Sequence, residues 1–144
     1  MQSFRFLDDI VTADAAFEAS GDSPDELFAA AVDATMNVMV ESLDSIEASR
    51  RIKTCLKKGS LEMLLFCLLE EVIFYKDAES LLLRVSDISI KRVKDCFSLR
   101  AELAGEPIDK KKHSMVVDVK AVTLYRYSLK ETKDGWKATI VLDV

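Results

Sequence analysis

Apolar and polar positions alternate along much of this chain, and the period of the alternation changes several times. Phe4 to Leu7 reads as a short first strand. Ala13, Ala15, Phe17 and Ala19 then alternate with Asp14, Ala16 and Glu18, the period of two expected of a half-buried strand. This sets Asp14 and Glu18 on the face opposite Phe17. At Gly21-Asp22-Ser23-Pro24-Asp25-Glu26 the pattern announces a helix. Ser23 can cap it, Pro24 suits the first helical position, and Glu26 completes an S-x-x-E capping box. Asp25 complements the positive end of the helix dipole. Leu27, Phe28, Ala31, Thr35, Val38 and Met39 follow as an apolar stripe at helical spacing.

From Leu43 the period returns to two. Ile46, Ala48, Ile52 and Leu56 share one face of a predicted strand, with Glu47, Arg51, Lys53 and Lys57 on the other. Lys57-Lys58-Gly59-Ser60 predicts a turn, and Ser60 can cap a second helix. That helix carries Leu61, Leu64, Leu65, Leu68, Leu69 and Val72 on one stripe. Met63, Phe66, Cys67 and Phe74 fill much of the rest. A helix apolar on most sides is expected to be buried on most sides, which predicts the central helix of the domain.

After Lys76-Asp77-Ala78-Glu79 the chain turns to strands. One contains Leu81, Leu83 and Val85. A second contains Phe97, Leu99, Ala101 and Leu103, with Ser98, Arg100 and Glu102 outward, and is broken by Gly105-Glu106-Pro107. A third contains Met115, Val117, Val119 and Ala121, with Leu124 to Leu129 extending it past a bend. Asp134-Gly135 is a strong hairpin signal, and Trp136, Ala138, Ile140, Leu142 and Val144 line one face of a last strand. The expected class is α+β, a single domain over residues 1–144 with two helices on one face of a mixed sheet.

Composition narrows the function classes. The 144 residues are 49% hydrophobic and 31% charged, with only 4 glycines and 2 prolines. A chain of this length buries a core without disulfides or metal. The net charge of −5 argues against a general nucleic-acid binder, whose affinity comes from neutralising phosphates. It leaves room for a small basic patch. Cys55, Cys67 and Cys96 are odd in number and never spaced C-x-x-C, which suits a reducing cytoplasm better than a disulfide framework or a zinc site. The first residues lack an apolar signal-peptide core. The longest apolar run, Met63 to Leu69, falls far short of the roughly 20 residues that cross a bilayer. The chain is therefore expected to be cytoplasmic, with no membrane contact.

The usual enzyme signatures are missing. There is no P-loop, no G-x-G-x-x-G, no G-x-S-x-G and no H-E-x-x-H. The one histidine, His113, reads as a solvated loop residue beside Lys110-Lys111-Lys112. What remains is carboxylates. Asp14 lies in a strand that is otherwise small and apolar, and Asp143 lies at the other end of the sequence, followed by Val144. Two side-chain carboxylates and a chain terminus are hard oxygen ligands of the type calcium or magnesium takes, provided that the two strands are neighbours. The alternative is ordinary solvent-facing carboxylates.

Thr12-Ala13-Asp14, followed by Ala19-Ser20-Gly21-Asp22-Ser23-Pro24-Asp25-Glu26-Leu27-Phe28-Ala29-Ala30-Ala31, resembles the N-terminal signature of the archease family. Val119-Lys120-Ala121-Val122-Thr123 is similar to that family's Val-Lys-Ala-Val-Thr segment. Gly135-Trp136 and Val141-Leu142-Asp143-Val144 resemble its C-terminus. The matches span essentially the whole chain in the family's order. The resemblance implies an accessory protein of the RtcB-type RNA ligase in tRNA splicing, promoting guanylylation of the ligase and its multiple turnover, with guanine nucleotide at the ligase active site. It implies no catalytic residue of the chain's own and only indirect or weak contact with RNA. It also implies calcium, or another divalent ion, held by Asp14, Asp143 and Val144. Two departures stand out. Ile10-Val11 replace an Asp-His that the family commonly has before Thr-Ala-Asp, and Asp118 stands where the family usually has Glu. Asp118, Lys120, Lys111 and Lys112 are candidate contacts for partner or nucleotide. The plainer reading of Lys111 and Lys112 is a solvated loop before a strand, as charge runs usually are. Two other functions fit the residues. One is a metal-dependent hydrolase using Asp14, Glu18, Asp118 and Asp143. The other is a chaperone-like interaction module without a functional metal.

Overall fold

The computed structural model describes residues 1–7 and 14–144. Seven strands and two α-helices follow in the order β1 (Ser3–Phe6), β2 (Ala15–Gly21), α1 (Pro24–Met39), β3 (Arg50–Lys58), α2 (Leu61–Glu79), β4 (Leu81–Val93), β5 (Cys96–Pro107), β6 (Ala121–Thr132) and β7 (Gly135–Asp143). The strands form two sheets with the orders β1-β2-β7-β6 and β3-β5-β4. Every pairing is antiparallel. The class is α+β, as the sequence predicts, but the expected mixed sheet is two antiparallel ones.

Both helix starts form as their sequences dictate. The Ser23 hydroxyl accepts the Glu26 N–H at 3.2 Å, and the Glu26 carboxylate accepts the Asp22 N–H at 3.0 Å. The Ser60 hydroxyl likewise accepts the Met63 N–H. The helices do not cover one face of one sheet. α1 packs on β1, β2 and β7 of the first sheet and on β4 of the second. α2 packs on β3, β4 and β5 and also on β6. Each helix thus touches both sheets.

This placement reverses the expected ranking of the helices. α1, rich in alanine, is buried around nearly its whole circumference, because small side chains let two sheets close on it. α2 is buried along one stripe, while Met63 and Phe74 remain exposed. Its apolar outer positions therefore do not mark it as the central helix. The core joins Phe17, Leu27, Phe28, Met36 and Met39 to Leu64, Leu65, Leu68, Leu83, Leu103 and Ile140.

Several boundaries differ from the pattern. Leu43–Ser45 is a turn of 3₁₀ helix, and the strand after it begins only at Arg50. β4 continues to Val93 across a bulge between Val85 and Asp87. β5 runs through Gly105 and Glu106 to Pro107 rather than stopping before them. Gly105 is required there because a Cβ would lie 1.7 Å from the Leu82 carbonyl oxygen. Met115 to Val119 does not form a strand. Met115 makes only an isolated bridge to Val40, and Val116 and Val117 are exposed. The segment crosses the end of α1, where the Val116 N–H bonds the Met39 carbonyl, and then the end of α2, where Lys76 bonds the Val119 carbonyl, and it extends no ladder beyond the one bridge. No helix among the described residues is long and apolar enough to cross a membrane.

Candidate functional site

The register of β2 against β7 decides where the two terminal carboxylates go. Ala15 pairs with Leu142 and Gly21 with Trp136. Asp14 and Asp143 each lie one residue beyond the Ala15–Leu142 pair, so the antiparallel register brings them to the same end of the sheet. β6 closes on the other side of β7, with Ala121 opposite Asp143 and the Lys120 N–H donating to the Asp143 carbonyl at 2.8 Å. Asp14, Asp143, Val144 and Lys120, far apart in sequence, thus come to one end of the four-stranded sheet, and Asp118 lies two residues before Lys120. Thr12 and Ala13, and the Ile10-Val11 departure, lie outside the described residues.

Asp118 is anchored rather than loose. Its carboxylate accepts from Lys76 Nζ at 2.5 Å. Lys76 lies in the last turn of α2 and is 6% exposed. It also donates to the Val119 carbonyl at 2.8 Å and to Asp77. Burial lowers the Lys76 pKa, but the bonds to Asp118 and Asp77 outweigh it and raise the value above that of an ordinary lysine. The helix end therefore pins Asp118 and Val119, from which the chain runs into Lys120 at that end of the sheet. Lys76 escapes a sequence reading that stops at Val72, although it continues the Leu68–Val72 stripe at i+4.

The basic loop behaves differently from its sequence. His113 is 1% exposed, not solvated. Its Nδ1 accepts the Asp109 N–H at 2.9 Å, which leaves Nε2 to donate to Glu106 at 3.0 Å. Glu106, at the end of β5, also accepts the Glu47 N–H at 2.8 Å and pairs with Lys112 at 2.8 Å. The Glu47 N–H, Lys112 and His113 together overcome burial and pull the Glu106 carboxyl down to about 2. Lys112 further pairs with Glu47 at 3.0 Å, so its ammonium serves the fold. Lys111 is exposed and points no ion pair at any described residue. Nothing in the local pattern signals this network, because Glu47, Glu106 and Lys112 meet only in three dimensions.

The four carboxylates of the hydrolase alternative do not converge. Glu18 lies four residues along β2 from Asp14, roughly 13 Å at strand rise, and is paired with Arg5 at 3.2 Å. Among the described residues, no three His, Cys, Asp or Glu side chains lie close enough to hold a metal ion between them. Asp14 and Asp143 are two side-chain donors. A hard cation, which takes six to eight oxygens, would need them completed by main-chain or terminal oxygens, water or a partner. Their chemistry fits such a partial site.

The model of the archease protein family matches residues 4–144. An archease of Pyrococcus abyssi is 31% identical over 134 residues, covering 92% of this chain and 94% of that protein. One from Methanosarcina barkeri is 30% identical over 144 residues, covering 99% and 97%. The solution structure of protein 1598 from Methanobacterium thermoautotrophicum superposes with a TM-score of 0.84 at 30% identity over 98% of each chain. The crystal structure of a Thermotoga maritima archease, described as a possible chaperone, shares the fold with a TM-score of 0.57 at 19% identity over 93% of each chain. A family match over all but the first three residues, carried by relatives of nearly equal length, places this chain in the archease family.

Proposed function

We propose that the protein is an accessory factor of an RtcB-type RNA ligase, promoting guanylylation of the ligase and its multiple turnover in tRNA splicing. It would hold calcium, or another divalent ion, through Asp14 and Asp143 with Val144 contributing. What supports this reading is the β2–β7 register, which brings Asp14 and Asp143 to one end of a sheet. Nucleotidyl and phosphoryl transfer rest on positioning and charge neutralisation, and an accessory protein can assist both without reacting itself. Bound there, the ion would supply positive charge toward phosphate oxygens. The chain's own part is to fix the carboxylates. β2 and β7 hold Asp14 and Asp143, while Lys76 holds Asp118 and balances its charge. Lys120 and Lys111 remain candidates for the partner or its nucleotide.

The test is ligase self-guanylylation with stoichiometric protein, alongside thermal melts in calcium. The protein alone joins no RNA, and it accelerates the ligase. Calcium at 100 times its Kd stabilises by about 2.7 kcal/mol, a shift of roughly 5–10 °C for a domain of this size. Asp14→Asn and Asp143→Asn remove the shift and reduce the acceleration. An unchanged guanylylation rate in the presence of wild-type protein refutes the proposal.

The second reading, an interaction module without a functional metal, draws on Val116, Val117, Leu124 and Tyr125. These exposed apolar side chains flank Asp118–Lys120 in sequence. Acceleration retained in both Asn variants would favour it.

A further inference from the structure

The three-stranded sheet buries one face against the helices and turns the other to solvent. Its outward residues run in rows across β3, β5 and β4. In the first, Lys53, Glu102 and Asp87 are neighbours, and Glu102 is held by Arg51 at 2.6 Å and by the Ser86 hydroxyl at 2.9 Å. Positive and negative charges balance there. The next two rows are Cys55–Arg100–Ser89 and Lys57–Ser98–Lys91. They hold three cations, two hydroxyls and a thiol, and no carboxylate. Among the described residues, Arg100, Lys57 and Lys91 form no ion pair.

Strands lie about 4.8 Å apart and outward residues recur about every 6.8 Å. The three cations therefore surround Ser98 in a patch roughly 10 Å across. An open concavity of about 400 Å³ lies beside the patch on the same face; Ser89, Lys91 and Arg100 line it together with Lys53, Asp87 and Glu102 of the charge-balanced row, while Lys57 and Ser98 lie outside it. In a chain of net charge −5, such a concentration of unpaired positive charge is self-repelling until an anion arrives.

The residue types select among anions. A protein partner is gripped through buried aromatic and apolar anchors, and the outward positions of these rows offer none. They offer no aromatic platform for stacking bases either. What they offer is a guanidinium fork, two ammonium groups and two hydroxyl donors, the groups that contact phosphate oxygens. We infer that the outer face of β3-β5-β4 binds the phosphodiester backbone of a single nucleic-acid strand, engaging two or three consecutive phosphates without reading the bases. This site is separate from the Asp14–Asp143 end of the other sheet and does not depend on the function proposed there.

The test is fluorescence anisotropy with short labelled oligouridylate and a mixed-sequence RNA of equal length. Three phosphate contacts give a slope of log K against log salt near −2, a loss of roughly 20-fold between 50 and 200 mM salt. Both RNAs bind alike. The Lys57→Gln/Lys91→Gln/Arg100→Gln variant loses binding and the salt slope, while a Lys110→Gln/Lys130→Gln control keeps both. All substituted positions are exposed, and a melt within a few degrees of wild type, expected for surface changes, establishes that the fold is intact. Three results would overturn the inference: no binding by wild type at low salt, undiminished binding by the triple variant, or displacement of RNA by polyglutamate of the same charge as efficiently as by unlabelled RNA.

Discussion

Replacing Glu106 by glutamine tests the network that folds the basic loop onto the end of β5. The carboxylate serves three donors, the Glu47 N–H, Lys112 and His113 Nε2. The His113 tautomer is fixed, because Nδ1 accepts from Asp109 and Nε2 must carry the proton. A glutamine nitrogen accepts nothing, so the single amide oxygen must serve the Glu47 N–H and His113 while the NH₂ group faces Lys112. A hydrogen bond to a charged group contributes about 1.5–3 kcal/mol and a neutral one about 1. The buried His113 and the part-buried Glu47 N–H lose charge assistance, about 2–3 kcal/mol of destabilisation at neutral pH, while the solvent-exposed Lys112 pair adds little. For a chain of this size that lowers the melting temperature by roughly 5–10 °C. The pH dependence fixes the cause. The Glu106 pKa is lowered on folding from 4.5 to about 2, so its contribution is complete above about 4.5 and fades as the pH falls toward 2. Melts of wild type and Glu106→Gln at pH 7 and pH 3.5 should differ most at pH 7 and converge in acid. Equal melting at pH 7, or a difference that stays constant in acid, refutes the reasoning.

Lys76→Met keeps the apolar stem as far as Cε but leaves the Val119 carbonyl without its donor, costing about 1–3 kcal/mol. Relief of ammonium burial offsets part of that, and a urea titration should show a net loss of about 1–2 kcal/mol. Amide exchange of Val116 and Lys120, whose N–H groups bond Met39 and Asp143, should accelerate more than that of the β4–β5 core. Equal acceleration throughout would place the effect elsewhere. Gly105→Ala drives a methyl group into the Leu82 carbonyl, and backbone cannot yield as a side-chain tip can. Soluble expression should collapse or stability fall by more than about 4 kcal/mol, and a near-native melt would show that β4 and β5 part readily enough to admit the methyl group.

Local chemistry determined much of this protein directly. The capping residues Ser23 and Ser60, the stripe of α2, the period of β2 and the Asp134-Gly135 hairpin all form as written, because each depends on neighbours within a few residues. The archease signature was also legible, since it is a run of residue types in order. Tertiary structure decided what depends on partners distant in sequence. The strands split into two sheets because helices packed between them cover both inner faces, a choice that alternation cannot encode. Val116 and Val117 keep strand periodicity but have no ladder partner. His113, Lys76 and Glu106 are buried because each meets opposite charge or a hydrogen-bond partner brought by another element. The basic patch that a linear reading places at Lys110–Lys112 is partly consumed by Glu47 and Glu106. The uncompensated one assembles from Lys57, Lys91 and Arg100 on three strands, where register, rather than sequence proximity, sets which charges stand together.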